Sequence, residues 1–152
     1  MPEGICTPWA DPDGGFRTEY SVYGDLDVDS LLAKARPVGP FSVWRRGYTT
    51  EFGVASSSRI TLPVSDGTSK EHLFREVGEF LEREREFLLQ ASRAPGRVQR
   101  GLVTSITASP GEIPVGLEFP AALLALAGPL DVSWALMTFP PYDERRPTTE
   151  CT

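Results

Sequence analysis

The stretch TSKEHLFREVGEFLEREREFLLQASRAPG, Thr68 to Gly96, decides the fold. Thr68 and Glu71 stand three residues apart in capping-box spacing, and Pro95-Gly96 close the segment. Between them Leu73, Val77, Phe80 or Leu81, Leu88 and Ala91 trace an apolar stripe, while Glu71, Arg75, Glu79 and Arg83 form an i, i+4 charge ladder opposite. The spacing predicts one long amphipathic helix over about Ser69 to Ser92. Such a helix must cover an apolar surface, and the flanking sequence has to provide it.

The flanks read as strands. In FRTEYSVYG, Phe16, Thr18, Tyr20 and Val22 fall on one face and Arg17, Glu19, Ser21 and Tyr23 on the other, the alternation of a half-buried strand. Asp27 can cap the short helical segment DVDSLLAKARP, which Pro37 stops. FSVWRRGYTTEFG and SSRITLPV, rich in β-branched and aromatic residues around a small polar turn, predict a hairpin. Beyond the long helix, RVQRGLVTSITAS alternates as a strand, PVGLEFP leads into a short helix over Ala121 to Ala127, and LDVSWALMTF is apolar almost throughout. That continuity predicts a central strand covered on both faces. The order strand, helix, two strands, long helix, strand, short helix, strand fits an α+β fold. Its expected form is a mainly antiparallel sheet with helices on one face, ferredoxin-like in kind.

Of 152 residues, 40 % are hydrophobic and 24 % charged, enough for one sizeable core. We expect a domain over residues 16–142, an irregular arm over 1–15 and a flexible tail over 143–152. Fifteen basic against twenty-one acidic residues leave a net charge of −6, which repels phosphate backbones and argues against nucleic acid as a partner. No apolar run reaches the roughly 18 to 20 residues that cross a bilayer. The first residues, MPEGICTPWADPDGG, lack a basic segment followed by an apolar one, so a cytoplasmic protein without membrane contact is expected. Cys6 and Cys151 read as reduced thiols, with a clasp between the two ends as the alternative; they do not make a zinc site.

Chemistry concentrates at Trp44-Arg45-Arg46-Gly47. On a strand, Trp44 and Arg46 would share one face, so Arg46 needs either a stacking or carboxylate partner within the fold, or an anion or protein outside it. Tyr48 stands close enough to join such a site. His72 is the lone histidine and sits in the first turn of the helix, which reads as a surface or capping residue. Glu76, Glu79, Glu82, Glu84 and Glu86, interleaved with arginines, read as a solvated face; Glu79, Glu82 and Glu86 could attract a partner. Ser56-Ser57-Ser58 lacks a nucleophile-elbow frame, and Gly14-Gly15 precedes a strand, so it is not a phosphate loop. No catalytic residue, metal or cofactor is expected.

Four of these pieces, in this order, resemble the bacterial domain of unknown function 4279 family: Gly24-Asp25-Leu26-Asp27, Trp44-Arg45-Arg46-Gly47, Glu71-His72-Leu73 and LLALAGPLDVSW. The resemblance spans about residues 16–139 and departs from the family pattern at RITLPV, which lacks a second tryptophan, and at the proline-broken SPGEIPVG. It implies kinship with small proteins found beside bacterial toxin genes, and thus a toxin-neutralising role. The expected function is therefore non-catalytic protein binding of an immunity type, using Trp44, Arg45, Arg46, Tyr48, Glu79, Glu82 and Glu86. The alternative is a small-anion-binding domain or enzyme centred on Trp44-Arg45-Arg46.

Overall fold

The structure, a computed structural model, describes residues 15–107 and 117–139. The expected tail, Cys6, Cys151 and all of the expected arm except Gly15 lie outside the described residues. The chain runs β1 (Gly15–Gly24), α1 (Val28–Leu32), β2 (Ser42–Trp44), β3 (Thr49–Thr50), β4 (Gly53–Val54), β5 (Ser58–Gly67), α2 (Lys70–Arg83), α3 (Arg85–Ser92), β6 (Val98–Thr107), α4 (Ala121–Ala127) and β7 (Trp134–Phe139).

Five strands form one sheet in the order β2-β5-β1-β6-β7, and β3-β4 form a separate small hairpin. Strands β1, β2, β5 and β6 pair antiparallel, and only β7 joins parallel, along β6. The leading β-α-β-β-α-β connectivity, with β5 between β1 and β2, is the split arrangement expected. Register puts Tyr20 between Leu62 and Leu102, and Val22 opposite Ile60, so alternation turns these residues to one face. That face is sealed by Leu73, Val77, Phe80 and Leu81 of α2, Phe87, Leu88 and Ala91 of α3, and Leu123 of α4, all in one buried cluster. Gly24 ends β1 where a Cβ would stand 2.1 Å from the Arg97 carbonyl oxygen, so only glycine lets the strand end meet β6.

Local chemistry agrees with most of the sequence reading. Asp27 caps α1, accepting from Ser30 N at 3.2 Å and Ser30 Oγ at 2.8 Å, and these bonds hold its carboxyl below the usual carboxylate range. The long helix is capped by Ser69 rather than Thr68, because the N–H needing an acceptor is that of His72, 3.1 Å from Ser69 Oγ. It is also divided at Glu84, which belongs to neither half and is fully buried, not on the solvated face to which sequence grouping assigned it. Both Glu84 carboxylate oxygens accept the Arg36 N–H, at 2.9 and 2.8 Å.

Two strand expectations are corrected. The apolar run Trp134–Phe139 does not lie centrally but at the sheet edge. With β1 between β5 and β6, β7 can take only the free side of β6, and Leu136 and Met137 are left exposed. The strand through Trp44 also stops there: Arg45 to Gly47 turn the chain out of the sheet into the β3-β4 hairpin. Gly47, at φ 86°, supplies the left-handed step, and its N–H reaches Ala55 O at 2.8 Å while Arg46 N reaches Ser58 Oγ at 2.9 Å.

Candidate functional site

The sheet's other face, away from the helices, carries an unexpected set of side chains. Because Val22, Ile60 and Val43 point inward, their neighbours Tyr23, Arg59 and Trp44 point outward. Register aligns these three in one row across β1, β5 and β2. The next row holds Ser21, Thr61 and Ser42, with Ser21 Oγ and Thr61 Oγ1 3.2 Å apart. Arg59 lies over the Tyr23 ring, 5.8 Å from its centroid, and donates from Nη2 to Ser21 Oγ at 3.3 Å. The Tyr23 hydroxyl donates to Gln99 Oε1, fixing that ring.

The β3-β4 hairpin turns this face into a groove. Thr50 Oγ1 accepts from Phe52 N at 3.2 Å and donates to Gly53 O at 3.0 Å, locking the tight turn that presents Phe52. Together the hairpin, Trp44 and the sheet floor at Ser21, Tyr23, Arg59 and Val103 enclose about 540 Å³. Its rim is apolar and open: Phe52 is 89 % exposed, and Val54 and Trp44 also face solvent. Isolated exposed apolar residues need no explanation, but exposed apolar residues gathered around one groove mark a binding surface.

The structure separates the residues that sequence reasoning grouped. Trp44 lines the groove, whereas Tyr48, one residue before β3, is exposed to solvent and does not line it. Arg45 instead donates to Asp29 Oδ1 at 2.7 Å, and that bond and charge raise its guanidinium pKa above the ordinary value. Arg46 meets Asp25 at 3.7 Å with both side chains largely exposed. The arginines thus clip the hairpin stem to the β1-α1 corner. Arg46→Ala should change unfolding free energy in urea by less than about 0.5 kcal/mol, as exposed pairs do. A loss several times larger would make Arg46 a structural anchor.

Glu79, Glu82 and Glu86 are exposed as expected, but on the helix layer, across the sheet from the groove. Glu86 lies 4.0 Å from Lys34 at a second concavity, about 650 Å³, between α1 and α3; its lining mixes Asp25, Asp27, Lys34 and Arg93. Charges of both signs leave that concavity without a preferred ligand charge. His72 is engaged by Glu76 and by Arg75 Nη2 at 2.9 Å, beside the start of α2. Among the described residues, no group of three or more His, Cys, Asp or Glu is placed to hold a metal ion, and no helix is long and apolar enough to cross a membrane.

Arg59, Tyr23 and Phe52 were missed by sequence reasoning. Tyr23 carried a signal, since a tyrosine on the polar side of an alternating strand has no core to enter. Arg59 and Phe52 carried none, because only the pairing register and the hairpin bring them to Trp44. No family model matches the chain, and no curated protein or solved structure is significantly similar to it.

Proposed function

We propose that the protein is a non-catalytic binding module that takes a segment of another protein on the outer face of its sheet. The observation carrying this reading is the groove whose rim leaves Trp44, Phe52 and Val54 in water. Tryptophan, tyrosine and arginine dominate interface energetics, and covering such a rim removes apolar area that a small ligand inside the groove would leave wet. The small-anion alternative loses support because Arg45 and Arg46, on which it was built, already face Asp29 and Asp25. Glu79, Glu82 and Glu86 act at longer range, steering a basic partner rather than touching it at the groove. An immunity-type role against a bacterial toxin, in the cytoplasm, is the biological form the sequence resemblance suggests.

The test is binding to the product of the adjacent gene, measured by calorimetry. Trp44→Ala and Phe52→Ser should each weaken it at least about thirty-fold, the effect of a hot-spot residue, with an unchanged circular dichroism spectrum. If both variants bind as the wild type does, while lysine at positions 79, 82 and 86 abolishes binding, the helix layer is the docking surface and the groove is not.

A further inference from the structure

Among the described residues that line the outer-face groove Arg59 is the one charged residue, and it is a cation in a chain of net charge −6. Arg45, Arg46 and Arg100 each meet an aspartate, but among the described residues Arg59 meets only the Ser21 hydroxyl and the Tyr23 ring. The ring and hydroxyl hold the guanidinium over the groove floor without neutralising it. Around it the lining is mixed: Trp44 and Val103 on the sheet and Phe52 and Val54 on the hairpin are apolar, while Thr50, Ser56 and Ser57 offer hydroxyls. An exposed guanidinium that meets no carboxylate among the described residues is available to a planar anion that can accept two parallel N–H bonds, with Trp44, Phe52 and Val54 on hand for apolar groups beside it.

We infer that the groove receives an extended peptide segment of the partner in which one aspartate or glutamate carboxylate, bound by Arg59, is flanked by apolar or aromatic side chains. This rests on the protein-binding reading above and specifies its ligand. Charge complementarity selects the carboxylate: the groove is locally positive, while the acidic remainder of the chain repels a polyanion. The open rim selects a segment over a free anion, because an anion at Arg59 alone would leave the exposed Phe52 and Val54 uncovered.

Capped peptides of alternating valine and tyrosine around a central Glu, Gln or Lys provide the test, titrated against the full chain by calorimetry. The Glu peptide should bind about tenfold or more tighter than the Gln peptide, and the Lys peptide weakest. Arg59→Gln should collapse the Glu-to-Gln ratio to about one, whereas Arg59→Lys should keep part of it; Phe52→Ser should weaken all peptides together and leave the ratio intact. Equal binding of the three peptides, or a ratio untouched by Arg59→Gln, overturns the carboxylate assignment while leaving the groove as a docking surface. Absence of binding by every peptide overturns the linear-segment proposal, and the thirty-fold loss in Trp44→Ala and Phe52→Ser then shows independently whether a folded partner still uses the groove.

Discussion

Phe87→Ala is expected to lower the unfolding free energy, measured by urea titration, by about 3–5 kcal/mol. Phe87 is fully buried on α3 and meets Tyr20 edge-on, at 5.9 Å and 76° between rings; Tyr20 in turn meets Phe80 of α2 at 5.9 Å. Three rings thus tie two helices to the central strand. Tyr20 cannot readily swing into the space left by Phe87, since Leu62 and Leu102 flank it on the neighbouring strands and the Phe80 ring packs against it. Burial pushes that phenol's pKa well up and keeps it neutral. The cavity should therefore persist, which puts the cost at the upper part of the range for large-to-small changes. A loss below about 1 kcal/mol would mean that α3 presents another face to the sheet.

Sequence periodicity was sufficient for the sandwich itself. Leu73, Val77, Phe80, Leu81, Leu88 and Ala91 are all buried, and alternation assigned Thr18, Tyr20 and Val22 to the inner face, because burial on one side imposes the period of each element. Two errors share a cause. Apolarity of LDVSWALMTF suggests a central strand, yet position in a sheet is set by which strand side is free, a non-local property. Likewise the composition of Trp44-Arg45-Arg46 suggests strand, because β-propensity does not register a turn at Gly47 whose bonds come from Ala55 and Ser58. The candidate site was half legible for the same reason: Trp44 stood out as a residue, while its neighbours Tyr23 and Arg59 come from strands distant in sequence.

Glu84→Ala should cost about 3–5 kcal/mol, and Glu84→Leu, although of similar size and apolar, about 1–3 kcal/mol. A signal was present in sequence: Glu84 lies three residues after Leu81 and four before Leu88, within the apolar stripe rather than opposite it. Its carboxylate is fully buried and takes the Arg36 N–H between its two oxygens, with Arg83 Nε 3.5 Å away. A buried ion pair can often be replaced by apolar residues at no loss, because both partners leave together. Here the principal partner is a backbone N–H that no substitution at position 84 removes. Leucine removes the buried carboxylate but orphans that donor, and alanine adds a cavity between the α2-α3 junction and Arg36. The consequence should extend beyond stability, since Arg36 sits in the segment joining α1 to β2, and β2 carries Trp44. Amide exchange at Arg36 should accelerate in both variants, and the valine-tyrosine peptides should bind more weakly although no groove residue has changed. A Glu84→Leu protein as stable as the wild type, with slow exchange at Arg36, would show that the carboxylate is a tolerated buried charge and not the clamp on that segment.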